Sequence, residues 1–249
     1  MVDEDSDTDK PRLNPRLRPM VKGSPRVQRR RLRVQESLRA AAREVLEEKG
    51  WAGCGTQEIL DAADLSRATL YNHYPSKDAL IAELLEELIE QLMDDTSRLK
   101  LIKPSEPVSI KEAVFDTYNR MFSMIKRERR LLAAMAVGIR VSEELSELWR
   151  GLEALSVERV ANDLKIAAKA GVLRHGADIK TVSLVIASLN DSMIISAVLQ
   201  EELEVEVVAT VMTQIYWDTV YRSDGGPQDY IVMPGGGIKL VEVGGSEST

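Results

Sequence analysis

The sequence predicts an all-α protein. Apolar residues recur at three- and four-residue spacing through most of the 249 positions, and period-two alternation is confined to roughly the last twenty. A chain of this length, 44% apolar, can bury a core without metal or cross-link. Its single cysteine, Cys54, excludes an intrachain disulfide and fits a reducing cytoplasm. Aromatic residues at 4% argue against a stacking platform for single-stranded nucleic acid.

The net charge of −7 conceals a strong polarity along the chain. Residues 1–9 contain Asp3, Glu4, Asp5, Asp7 and Asp9, whereas residues 10–33 contain two lysines and eight arginines with no acid. Such a basic block suits an anionic partner that the acidic body does not. Prolines at 11, 15, 19 and 25 keep the first part of the block out of helix, so residues 1–33 read as a flexible arm, acidic and then basic. The block lacks the apolar core of a signal peptide, and secretion is not expected.

Helices follow in order. Val34, Leu38, Ala41, Ala42, Val45 and Leu46 lie at helical spacing, and Gly50 supplies a stop. Thr56 is placed to cap a short helix ending near Ala63, and Ser66 caps a second over residues 67–73. Pro75 and Ser76 restart the chain into a long helix with Leu80, Leu84, Leu88 and Leu92, broken near Pro104. Val114, Tyr118, Met121, Phe122 and Ile125 mark the next helix, residues 131–139 a short one, and Leu145 to Leu164 a long one stopping at Gly171. Two more span about 178–200 and 204–221. The stretch 181–199 is apolar but holds Asn190, Asp191 and four serines, so a buried helix fits better than a membrane span. It has two apolar faces, Val182, Ile186, Leu189 and Met193 on one, Val185, Ser188, Ser192, Ile195 and Leu199 on the other; a second subunit is the natural cover for one of them. After residue 222 the chain is glycine-rich, and residues 229–233 and 238–243 allow a hairpin.

Function concentrates in residues 56–74, TQEILDAADLSRATLYNHY. Two short helices joined by a tight turn suit a helix-turn-helix, whose second helix enters the major groove. Ile59, Leu60, Ala63, Leu65 and Leu70 can pack inward, leaving Arg67, Ala68, Asn72 and His73 outward. The stretch 35–88 resembles the DNA-binding domain of the TetR family of bacterial transcription regulators, through the alanine-rich first helix ending EEKGW, Thr56 opening the second, and LSRATLYNHYPSKDAL at 65–80. One departure is Asp64, where the family usually has glycine; aspartate tolerates a left-handed backbone better than most residues, so the turn should survive.

The resemblance implies that Arg67, Ala68 and Asn72 face bases, while Thr56, Thr69, Tyr71, His73 and Lys77 hold phosphates. Chemistry supports this: arginine grips guanine bidentately, asparagine does so for adenine, and hydroxyls and lysine suit phosphate oxygens. The expected organisation is an arm at 1–33, a TetR-type helix-turn-helix DNA-binding domain at 34–77, a helical effector-binding and dimerisation domain at 78–221, and a tail at 222–249. The expected protein is a cytoplasmic homodimeric repressor, released from double-stranded operator DNA by a small-molecule effector. Tyr118, Met121, Phe122, Met135 and Trp149 are the candidate ligand contacts, being large, adaptable or polar-tipped on apolar faces. No cofactor, metal or membrane partner is expected. With two histidines about a hundred residues apart and no phosphate loop or serine elbow, catalysis is not indicated. The remaining alternative is a helical ligand-binding or protein-interaction module without DNA binding.

Overall fold

The computed structural model describes residues 25–95, 108–169, 173–174, 178–199, 204–221, 228–232 and 238–242. Among these the order is α1 (Pro25–Gly53), α2 (Thr56–Ala63), α3 (Arg67–His73), α4 (Lys77–Asp95), β1 (Val108–Ser109), α5 (Ile110–Arg127), α6 (Arg129–Val141), α7 (Glu143–Lys169), α8 (Ile179–Leu199), α9 (Val205–Val220), β2 (Gln228–Val232) and β3 (Ile238–Glu242). The architecture is all-α with one small sheet. The acidic stretch 1–9 and the basic residues 10–24 lie outside the described residues, as does the expected break near Pro104.

The first helix begins at Pro25, nine residues before its expected start at residue 34. Proline is tolerated in a first helical turn, where its missing N–H has no partner to lose, and the arginines that follow are good helix formers. At the other end Gly50 leaves helical geometry at φ 66°, a left-handed value glycine takes without strain, before one further turn.

The described residues form two compact units. The first holds those up to Glu86 together with Val137–Leu152; the second holds Glu87–Ala136 and those from Glu153 onward. The division differs from a boundary at residue 77, and it falls inside α4, α6 and α7. Segment 137–152 joins the first unit through identifiable contacts. Gly138 lets the Trp51 ring sit where a β-carbon would otherwise stand, and the Ser76 hydroxyl donates to Glu144 at 3.0 Å. The core of this unit is built from Leu38, Ala42, Ile59, Leu70, Leu80 and Ile81.

In the second unit α5 packs against both α8 and α9, burying Val114, Tyr118, Phe122 and Ile125 with Leu164, Ile186, Tyr216 and Val220. Ser109 caps α5 by accepting from the Glu112 N–H at 3.0 Å, and Asp178 caps α8 by accepting from the Thr181 N–H at 2.9 Å. The tail forms the hairpin, β2 antiparallel to β3 with Tyr230 opposite Leu240. β1 adds a third strand, pairing Val108 with Val232 and Ser109 with Ile231.

Helix α8 is long and apolar enough to cross a membrane by length and composition alone. One face packs inward through Ser183, Ile186, Ala187 and Ala197, and Asn190 accepts from the Tyr118 hydroxyl at 3.1 Å. The other face, Leu184, Val185, Ser188, Ser192, Ile195 and Ser196, is exposed.

Candidate nucleic-acid interface

The site is a pair of short helices with local punctuation. Gly55, not Thr56, is the N-cap of α2: it has extended backbone, and Thr56 is the first helical residue. The turn that follows rests on Asp64 at φ 52°, ψ 46°, the left-handed conformation expected there. The Leu65 N–H then closes onto the Leu60 carbonyl at 3.1 Å. Ser66 caps α3, its hydroxyl accepting from the Thr69 N–H at 3.2 Å and lying 2.8 Å from the Thr69 hydroxyl. A helix too short to form in isolation is therefore held by the capped turn before it and by Leu70, fully buried beneath it.

This geometry decides which side chains face outward. Arg67, Ala68, Tyr71 and Asn72 are exposed, with Tyr71 47% accessible and hence not consumed by packing against α1. Thr56, Thr69 and His73 are half-buried. Burial, and then the charge of Arg31, lower the pKa of His73. Its Nδ1 is enclosed without a hydrogen-bond partner. Tyr74 anchors the end of the helix, almost fully buried beside the Arg39–Glu83 ion pair at 2.7 Å. Burial and the Glu83 charge push its hydroxyl pKa up.

Lys77 is oriented by contacts within the protein. Its ammonium donates to the Cys54 carbonyl at 2.9 Å, sits 4.5 Å from the centre of the Trp51 ring and lies 3.9 Å from Asp78. It ties the start of α4 to the α1–α2 turn. Sequence alone could not show this, because the pattern of the motif fixes the residue and not its rotamer. Cys54 is buried, and desolvation raises its thiol pKa to about 11, which leaves it without thiolate character at neutral pH.

The candidate ligand residues do not form one group. Tyr118, Met121 and Phe122 lie in the core of the second unit, with the Tyr118 and Phe122 rings stacked at 6.4 Å, and Met135 is buried in the same unit. Trp149 belongs to the first unit, because α7 carries it before the division at residue 152. The first unit also has a cavity of about 620 Å³ walled by six carboxylates, Asp78, Glu83, Glu86, Glu143, Glu144 and Glu147. These are not gathered tightly: among the described residues no three His, Cys, Asp or Glu side chains could hold a metal ion together.

A capped short helix, presented by a tight turn with Arg, Ala, Tyr and Asn outward, is the geometry of a helix-turn-helix. Residues 38–84 match the family described as bacterial regulatory proteins, tetR family. The amino-terminal part of the chain therefore carries a DNA-binding domain of the kind found in that family of transcriptional regulators. It is 21% identical over 189 residues to the HTH-type transcriptional regulator EthR of Mycolicibacterium smegmatis, covering 75% of this chain and 86% of that protein. It is 38% identical over 80 residues to the HTH-type transcriptional regulator CymR of Pseudomonas putida, covering 32% of this chain and 39% of that one. Its fold is similar to that of the transcriptional regulator FadR from Bacillus subtilis in complex with stearoyl-CoA, with a TM-score of 0.59 at 16% identity over 75% of this chain and 99% of that chain.

Proposed function

We propose that the protein is a homodimeric repressor that a small-molecule ligand releases from an operator of inverted-repeat symmetry. The observation that carries the dimer is an uncovered apolar surface on two helices of the second unit. On α8 it comprises Leu184, Val185 and Ile195 with small serines between them, and on α9 Val207, Val211 and Ile215, all exposed. The α8 stripe repeats at three- and four-residue spacing and the α9 stripe at four, so two copies can close them into a four-helix bundle. A two-fold protein reads a two-fold site, which is why the operator should be an inverted repeat.

Arg67, Ala68 and Asn72 are the base-facing residues in this reading, with Thr56, Thr69, Tyr71 and His73 at phosphates. Lys77 joins them, since its ammonium spends one of three donors on the Cys54 carbonyl and keeps others for a phosphate. The ligand site is assigned to the second unit, around Tyr118, Met121, Phe122 and Met135, where the Tyr118 hydroxyl and Asn190 provide a polar end within an apolar core. The ligand-bound structure of the Bacillus subtilis FadR, similar in fold, supports a ligand site of this kind. Helices α4, α6 and α7 each contribute residues to both units, so a ligand that favours one arrangement of the second biases the first. The site of action is the cytoplasm, where the DNA lies.

Selection of duplexes from a random library by the purified chain tests the DNA reading. An enriched inverted repeat supports it, and a library that stays random overturns sequence-specific regulation. A thermal-shift screen of metabolites, followed by gel shift on the selected duplex, tests the rest. A compound that stabilises the protein and dissociates the complex supports release, whereas stabilising compounds that only tighten the complex overturn it.

A further inference from the structure

Five arginines, Arg26, Arg29, Arg30, Arg31 and Arg33, occupy the first turns of α1, with no acid before Glu36. Arg26, Arg29, Arg30 and Arg33 follow the i, i+3, i+4, i+7 spacing and share one exposed face. Arg31 falls on the opposite side, in line with Leu38, Ala42 and Val45, through which α1 packs on the rest of its unit. It is half-buried, and its charge reaches His73, the last residue of the recognition helix. Helix α1 contacts α3 directly within the same compact unit, and the basic turns are its amino-terminal end.

This arrangement is electrostatically unfavourable in the free protein. The arginines repel one another across the turns, and they sit at the end of the helix that already carries partial positive charge. None of the five has an ion-pair partner among the described residues. Over residues 34–77 the folded domain is net acidic, so it offers little general attraction for a polyanion on its own. A row of phosphates would relieve the repulsion.

We propose that the first turns of α1 are a second DNA-contacting element, a rigid basic helix that takes backbone phosphates flanking the groove read by α3. The inference rests on the DNA-binding reading above and revises the expected flexible arm: between residues 25 and 33 the contact is made by a helix in fixed register with the recognition helix. Its contribution is independent of base sequence, since guanidiniums on phosphates carry no sequence information.

The test uses the full chain and two variants. One replaces all five arginines by glutamine (R26Q/R29Q/R30Q/R31Q/R33Q); the other is Leu32→Pro, which keeps every charge but breaks the helix at an exposed position. Affinity is measured against salt, on the selected duplex and on random duplex, with the circular dichroism melt as the check on folding. The glutamine variant should bind both duplexes more weakly by the same factor, and its salt slope should fall by about 0.9 for each phosphate it no longer neutralises. Leu32→Pro should show a shallower slope as well. A wild-type slope in the glutamine variant overturns the phosphate role. A wild-type slope in Leu32→Pro overturns the helical placement and returns these residues to an arm. If no duplex is selected by the wild type, the regulatory reading fails, while the slopes on random duplex still decide this one.

Discussion

Gly138→Ala should destabilise the protein although alanine is the better helix former. Gly138 lies in α6, and a β-carbon there would fall within van der Waals radii of three atoms of the Trp51 ring, Cε3, Cζ3 and Cη2. A rigid indole cannot yield at one edge alone; the whole ring must shift, and it carries the Lys77 ammonium at 4.5 Å on its face. Overpacking of this kind costs about 1–3 kcal/mol. Against it stands a propensity gain of about 1 kcal/mol for Gly→Ala in a helix. Gly151, in α7, separates the two contributions, since a β-carbon there meets nothing within 4 Å. Gly151→Ala should therefore raise the melting temperature by about 2–4 °C, at about 2–4 °C per kcal/mol. Gly138→Ala should fall below Gly151→Ala by about 1–3 kcal/mol, the overpacking cost alone. Thermal unfolding of both variants at one fixed protein concentration gives the comparison. Shifting the ring also disturbs the Lys77 bond to the Cys54 carbonyl, so DNA affinity should drop in Gly138→Ala and not in Gly151→Ala. Equal stabilisation by the two alanines would refute the close approach.

Four further outcomes follow from single positions. Asp64→Gly should stabilise the chain by about 1 kcal/mol, measured by denaturant unfolding, because Asp64 holds a left-handed backbone that glycine adopts without a β-carbon penalty. Arg67→Ala should flatten sequence preference at one position per half-site, at a cost of about 1–3 kcal/mol there, seen on a panel of single-base variants of the selected duplex. Ser192→Glu, on the exposed face of α8, should give monomers by light scattering and weaken DNA binding; a full dimer would place the interface elsewhere. Asp191→Asn should stabilise the protein at pH 7.5 and do little at pH 4. Desolvation and the neighbouring Glu153 raise the Asp191 pKa from 3.8 to about 6, so the folded state favours the protonated acid. Its contribution is most favourable below about pH 4 and is lost as pH rises through about 6, the window in which wild type and variant stability curves should diverge.

The local chemistry of the recognition element is legible in the sequence. The Ser66 cap, the left-handed turn at Asp64 and buried Leu70 each depend on residues within four or five positions, and the 3.6-residue spacing of apolar side chains locates every described helix of the chain. The hairpin is visible for the same reason, as two short alternating runs separated by glycines. Pro25 shows the limit of such rules: by type it is an obstacle to helix, yet it stands in the first turn of one.

Pairings between distant positions are decided by the tertiary structure. β1 joins the hairpin across more than a hundred residues, and two residues of strand carry no pattern of their own. Residue type alone suggests a phosphate for Lys77, but its rotamer is set by Cys54 and Trp51, more than twenty positions away. Trp149 shares the apolar character of Tyr118 and Phe122, yet α7 passes from one unit to the other after it. Arg31 reaches His73 only because α1 packs through Leu38 and Val45 onto the helices that follow. Hydrogen bonds between near neighbours fix helices and turns from residue type alone, whereas side-chain partners depend on which faces meet when those helices pack, and sequence spacing within one helix does not encode that.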